Sequence, residues 1–253
     1  MTVSFSLEGR RALVTGASRG LGRAVAVALA QSGADVACVS SAPGGCAETA
    51  KEIRGIGREA WELSADLSDR AAVMKLADDA LSAMGRIDIL VNNAGTIKRH
   101  PAVAFPEDDW DQVIRTNLDS VFFLSQAVGK QMLARKSGKI VNVASLLSFS
   151  GGIRVPAYTA SKHAVAGLTK ALANEWAGSG VQVNAVAPGY FETDNTRALR
   201  DDPTRATEIL ARIPAGHWGK PEDLAGAVVF LSSPASDYVN GHVLVVDGGW
   251  MAR

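Results

Sequence analysis

The sequence predicts an α/β fold: one domain built on a doubly wound, parallel, seven-stranded sheet with helices on both faces. Three observations predict it. Short runs rich in β-branched residues alternate with longer helical stretches along all 253 residues. The strand-like runs are continuously apolar instead of alternating, the pattern of parallel strands covered on both sides. No linker-like stretch or internal repeat interrupts this order. Such an order implies right-handed crossovers between parallel strands. The length admits one large domain or two small ones; the unbroken pattern selects a single domain over 1–253.

Ala12 to Thr15 reads as a buried strand, followed by a glycine-rich turn and a helix from Gly22 to Gln31. The longest apolar runs, Ala24 to Ala30 and Ala225 to Leu231, read as buried helix faces. Both are far shorter than the ~18 residues that cross a bilayer. Strand Asp35 to Val39 precedes helix Ala47 to Ile56. Strand Glu59 to Leu63 precedes helix Asp69 to Ala83, for which Ser68 is the expected N-cap. Ile87 to Val91 is the fourth strand, and Glu107 to Ala134 one long helical stretch. Strand Lys139 to Ala144, helix Ala157 to Ala177 and strand Val181 to Ala187 follow. Pro188 to Pro214 is the least regular segment and reads as a mobile loop with a short helix. Helix Pro221 to Leu231 carries proline in its first turn, and Val243 to Val246 is the last strand.

The charge balance narrows the function. Basic and acidic side chains number 26 each, so there is no basic surplus to neutralise nucleic-acid phosphates or an anionic membrane. The stretch Met1 to Arg11 lacks the apolar segment of a signal peptide. Two cysteines, Cys38 and Cys46, with no CxxC point away from a disulfide framework and towards the cytoplasm. Four scattered histidines with no HxxxH spacing give no reason to expect a metal.

Ligands of open α/β sheets bind beyond the carboxyl ends of the strands, so the residues after each strand carry the chemistry. After the first strand comes Thr15-Gly16-Ala17-Ser18-Arg19-Gly20-Leu21-Gly22. Glycines there let the backbone approach a pyrophosphate, and the helix that starts there offers free N–H groups to it. A dinucleotide is the expected ligand, held by Gly16, Ser18, Arg19, Gly20, Leu21 and Gly22. An acid some twenty residues on would read the ribose of NAD. This chain has Ser40 and Ser41 instead, and Arg19 offers a partner for the 2′-phosphate of NADP. Asp66, with Leu67 after the third strand, is placed either to bond the adenine amino group or to cap a helix.

Tyr158 and Lys162 stand four apart on a helix, hence on one face. A free phenol titrates near about 10, and a neighbouring ammonium favours its ionised form. The pair suits proton exchange with an alcohol or carbonyl. Ser145, Asn92 to Gly95 and Pro188-Gly189 follow strands, and Asn117 interrupts the long helical stretch.

Taken together, Thr15 to Gly22, Asp66, Asn92 to Gly95, Asn117, Ser145, Tyr158-x-x-x-Lys162 and Pro188-Gly189 resemble the short-chain dehydrogenase/reductase superfamily over essentially the whole chain. The resemblance implies a Rossmann fold, NAD or NADP as cofactor, and a homotetramer. It implies Tyr158 as general acid/base, with Lys162 lowering its pKa and holding the nicotinamide ribose. Ser145 would bind the substrate oxygen and Asn117 a relay water. Asn93, Ala94 and Gly95 would line the adenosine side, and Pro188, Gly189 and Thr193 the rest of the cofactor.

Gly151 to Pro156, Asn184 to Thr196, Ile213 to Gly219 and Ser236 to Arg253 resemble a narrower bacterial branch. It comprises the 2-deoxy-D-gluconate 3-dehydrogenases, also called 2-dehydro-3-deoxy-D-gluconate 5-dehydrogenases, of carbohydrate metabolism. That branch implies a sugar-acid substrate. A carboxylate suits arginine: Arg154 precedes Tyr158 by four residues, Lys98 and Arg99 follow the Asn92 to Gly95 turn, and Asn195 and Thr196 lie on the loop. Ser145, Arg154, Arg99 and Asn195 are therefore the candidate substrate contacts. The branch usually takes NAD, whereas Ser40, Ser41 and Arg19 suit NADP, so both cofactors stand. A 3-oxoacyl-thioester reductase, another sugar or polyol dehydrogenase, and a catalytically silent dinucleotide-binding regulator share parts of the same apparatus.

Overall fold

The computed structural model describes residues 3–253; Met1 and Thr2, part of the stretch read above for a signal peptide, lie outside the described residues. Seven parallel strands form one sheet: β1 Arg11–Thr15, β2 Asp35–Ser40, β3 Ala60–Ser64, β4 Ile89–Asn92, β5 Gly138–Val143, β6 Val181–Pro188 and β7 Val243–Val246. Their order is β3-β2-β1-β4-β5-β6-β7. The chain runs outward from β1 to β3, then returns to build the other half from β4. The resulting switch point between β1 and β4 opens a crevice at the carboxyl edge.

Helices cover both faces: α1 Gly20–Gln31, α2 Ala47–Gly55, α3 Arg70–Met84, α4 Glu107–Ile114, α5 Ser120–Arg135, α6 Pro156–Trp176, α7 Arg197–Arg200, α8 Pro203–Arg212 and α9 Pro221–Ser232. Successive strand residues point to opposite faces, and here both faces are buried. Ala12, Val14, Val36, Ile89 and Val91 pack with Val25 and Leu29 of α1 and Leu224 and Val228 of α9. Leu13, Ala37, Val39, Leu90 and Ile140 pack with Leu76 of α3, Leu124 and Val128 of α5 and Leu172 of α6. This two-sided burial is why the strands read as continuous apolar runs. No helix of the described residues is long and apolar enough to cross a membrane.

Three local expectations are corrected. Asp69, not Ser68, caps α3: its backbone is extended and its carboxylate accepts from the Ala71 N–H at 2.9 Å. Ser68 instead donates to Asp66 through its N–H and hydroxyl. The long stretch Glu107 to Ala134 is α4 and α5 joined by a π-helical turn, Arg115–Asp119. The segment Pro188 to Pro214 holds two helices, α7 and α8; Asp202 caps α8 with bonds to the N–H groups of Thr204 and Arg205.

A buried polar ladder fastens α5 and α6 to the sheet. Asn92 Nδ2 donates to Asn142 Oδ1 at 2.9 Å and to Ser125 Oγ at 3.0 Å. Asn142 Nδ2 donates to Thr169 Oγ1 at 2.9 Å, which donates to the Val165 carbonyl at 2.8 Å. Asn142, Ser125 and Thr169 are wholly inaccessible to solvent. Replacing Asn142 with Leu strips partners from the buried Asn92 amide and Thr169 hydroxyl. Each group left unpaired costs about 1–3 kcal/mol, so denaturant titration of Asn142→Leu will show a loss of about 2–4 kcal/mol.

Candidate active site

A cleft of about 870 Å³ runs along the carboxyl edge of the sheet. Gly16, Ser18 to Gly22, Ser40, Ser41, Asp66, Leu67, Asn93 to Gly95, Tyr158, Lys162, Pro188, Gly189 and Thr193 all line it. These are the residues that the sequence suggested for a dinucleotide.

At one end lies the glycine turn. Gly16 has φ +67°, a conformation that side chains disfavour. A Cβ on Gly22 would land on the Gly16 carbonyl oxygen and on Asn93 Nδ2. Asn93 Nδ2 donates to the carbonyls of Thr15 and Gly16 at 2.9 and 3.2 Å. Thr15 Oγ1 accepts from the N–H groups of Asn93 and Ala94, both at 3.0 Å. The turn is thus laced to the residues after β4. Helix α1 starts at Gly20 with no side-chain cap and no acid in its first turn. Its leading N–H groups stay free for an anion, so the turn fits the pyrophosphate of a dinucleotide. Arg19, largely exposed, pairs with Asp194 at 2.9 Å, and Asp194 pairs with Arg197 at 2.6 Å. Asp66 lines the cleft while its Oδ1 closes a turn with Ser68, which holds its carboxyl below the usual range.

At the other end, Pro156 opens α6 and Tyr158 and Lys162 follow in its first turns. Lys162 Nζ donates to the Val143 carbonyl at 2.6 Å and lies 5.6 Å from the centre of the Tyr158 ring. Lys162 is buried, and burial pulls its ammonium down to about 8. Burial pushes the Tyr158 phenol up; a hydrogen bond from Ser145 and the charge of Arg99 act against that rise. Burial is the largest influence on the phenol, and Arg99 joins Lys162 as a cation near it. Ser145 caps the turn after β5, its Oγ accepting from the Leu147 N–H at 3.2 Å.

Asn117 lies behind the cleft wall. Its amide grips Thr96 twice, Oδ1 accepting from N–H at 2.8 Å and Nδ2 donating to the carbonyl at 2.9 Å. Nδ2 also approaches Ser161 Oγ at 3.3 Å. Of the substrate candidates, Ser145 and Asn195 line the cleft. Arg99 stands off the wall and donates to the Asn195 carbonyl at 3.0 Å, tying the segment after β4 to the loop. Arg154 is corrected: it is exposed, has φ +64°, and does not line the cleft. Its carbonyl is held by the His100 N–H at 3.0 Å.

Sequence reasoning missed Gln112, Thr116, Asp194, Arg197 and Arg200, which also line the cleft. The last three share a visible signal, charges three apart on the loop after β6. Thr116 carries none, because the π-helical turn that presents it has no sequence mark.

The buried ammonium makes stability depend on pH. With Lys162 at about 8 in the folded chain and its ordinary value 10.5, the unfolded chain binds more protons between those limits, so stability rises with pH across that window. Lys162→Met removes the penalty. At pH 7 the variant will be more stable than the parent by up to about 3 kcal/mol, and the advantage will shrink as pH approaches 10.5. Denaturant midpoints across pH measure this.

Residues 10–204 match the sequence profile of the short chain dehydrogenase family. The 2-dehydro-3-deoxy-D-gluconate 5-dehydrogenase of Bacillus subtilis is 54% identical over 250 residues, covering 99% of this chain and 98% of that one. The enzyme of the same name from Dickeya dadantii is 52% identical over 251 residues, with 99% and 98% covered. A crystal structure of a gluconate 5-dehydrogenase from Burkholderia cenocepacia, in complex with NADP and tartrate, superposes with a TM-score of 0.95 at 43% identity, covering 99% of this chain and 98% of that one. With the parallel seven-stranded sheet, the glycine turn and the Ser145, Tyr158 and Lys162 cluster, these matches place the chain in the short-chain dehydrogenase family.

Proposed function

We propose that this chain is an NAD(P)-dependent oxidoreductase that interconverts a secondary alcohol and a ketone on a deoxy sugar acid of the 2-dehydro-3-deoxy-D-gluconate type. The observation that carries this reading is the clustering of Ser145, Tyr158 and Lys162 at one end of a dinucleotide-sized cleft, in a chain more than half identical to dehydrogenases of that name.

The cofactor supplies the hydride transfer when bound. The free N–H groups of α1 and the glycine turn would hold its phosphates. Lys162 would hold its nicotinamide ribose, and Pro188, Gly189 and Thr193 would wall that end. In oxidation, Tyr158 Oη takes the proton of the substrate hydroxyl; in reduction it returns that proton to the carbonyl oxygen. Ser145 Oγ donates to the same oxygen and fixes its angle. Arg99, whose charge favours the phenolate, eases the proton's departure. Asn117 positions the wall through Thr96 and leads a relay water to Lys162. Arg99 and Asn195 border the substrate, and 188–214 serves as the substrate loop.

NADP is the preferred form in this reading. Arg19 and the exposed Ser41 replace the acid that would accept a ribose hydroxyl, and the Burkholderia relative was solved with NADP. We also propose a cytoplasmic homotetramer: edge strand β7 leaves all four of its apolar residues half-exposed, and symmetric pairing covers such an edge. Light scattering will return four chain masses; a monomer overturns this assembly.

Crossing both cofactors with sugar acids, polyols and oxoacyl thioesters, and following reduced nicotinamide by its near-ultraviolet absorbance, tests the activity. The expected result is turnover of keto-deoxy sugar acids and none of thioesters; the reverse identifies an oxoacyl reductase. Tyr158→Phe will lower kcat by about 100- to 10,000-fold with NADP binding retained. Undiminished function in that variant would instead mark a non-catalytic dinucleotide sensor. In the same screen Ser41→Asp will shift the kcat/KM ratio towards NAD by about tenfold or more, through repulsion of the 2′-phosphate.

A further inference from the structure

Three guanidinium groups line the cleft, those of Arg19, Arg197 and Arg200. Arg19 and Arg197 share Asp194. Arg200, on α7, lines the same cleft, yet no carboxylate among the described residues pairs with it. Its side chain makes one hydrogen bond, from Nη2 to the Thr193 carbonyl at 3.2 Å. Its Nε is buried with no partner at all.

A guanidinium carries five N–H donors in a rigid fork. A charged group with a buried, unpaired donor is costly unless a partner arrives. Thr193 holds one corner of the fork, and because Arg200 lines the cleft with no carboxylate of its own, its charge is open to an anion bound there. The other cations are poorly suited. Arg154 lies outside the cleft wall. Lys162 sits beside Tyr158 at the reacting end, and Arg99 is not part of the cleft lining.

We infer that Arg200 is the carboxylate anchor of this site, binding the acid group of the substrate with two parallel N–H···O bonds. The inference rests on the sugar-acid reading above and deepens it. An open-chain acid is then held at its two ends by different elements: its carboxylate by α7, its reacting carbon by Tyr158 and Ser145 around α6. Because α7 belongs to the segment after β6, the anchor arrives with the loop, and substrate charge favours the arrangement seen here.

The test compares 2-dehydro-3-deoxy-D-gluconate with its uncharged methyl ester, on the parent protein, Arg200→Met and Arg200→Lys. NADP affinity is measured in parallel by fluorescence titration. Arg200→Met will lower kcat/KM for the acid by about 100-fold, mainly through KM. It will leave turnover of the ester and NADP affinity within about threefold of the parent, the spread expected where no contact is lost. Arg200→Lys will recover part of the loss, since an ammonium supplies charge without the fork. Equal losses for acid and ester would make Arg200 a structural tie to Thr193 and overturn the inference. Loss of NADP affinity would assign Arg200 to the cofactor and do the same. A parent protein that turns over neither acid nor ester would overturn the sugar-acid reading itself. Should Arg200→Met not fold, Arg200→Lys decides alone, since an unchanged KM for the acid in that variant removes the need for a fork.

Discussion

The catalytic geometry depends on one interaction, the hydrogen bond between the Asn92 and Asn142 side chains inside the sheet. Amides are poor core residues unless every polar atom is paired. Here Asn92 Nδ2 and both polar atoms of the Asn142 amide pair across element boundaries, and the ladder continues through Thr169 into α6. The helix that carries Tyr158 and Lys162 is thereby registered against β4 and β5 by directional bonds, which fix rotation and slide in a way that apolar packing alone does not. Ser145 and Asn93 leave the carboxyl ends of those same strands. The distance between proton-transfer end and glycine turn is therefore set in the core rather than at the surface.

Above this rigid floor the cleft is an electrostatic arrangement. Its deepest cation, Lys162, is disfavoured by burial and held only by a backbone carbonyl. Its phenol is raised by the same burial, and a hydroxyl and an arginine oppose the rise. Two groups are thus each driven towards neutrality, a poised state for a proton donor and acceptor that must work in both directions. At the outer rim, charges are paired and exposed, and the surface pairs there contribute little stability; their value lies in positioning the loop.

Much of this was legible in the chain. Seven apolar strands, the glycine turn and the Tyr158–Lys162 spacing are local patterns, and the structure places them as those patterns suggest. What escaped detection depends on geometry without a sequence mark. The π-helical turn at Arg115–Asp119 inserts a register change that no periodicity announces. Arg154 sits in a left-handed bend, so proximity in sequence to Tyr158 did not carry it into the cleft. The second loop helix did have a signal, Asp202 followed by Pro203, an N-cap and a first-turn proline that the surrounding irregular composition obscured. Which cation pairs with which acid is a tertiary fact: the three-residue spacing of Asp194, Arg197 and Arg200 is visible in the chain, but that Arg200 alone of the two arginines lacks the carboxylate is not.

Asp194 serves two guanidinium groups, one on each side of the cleft mouth. A carboxylate shared in this way behaves as a hinge pin with a spare socket. An anion that draws Arg19 away leaves Asp194 paired with Arg197 at the start of α7. An anion at the nucleotide end thus competes with Asp194 for Arg19 without removing the partner of Arg197.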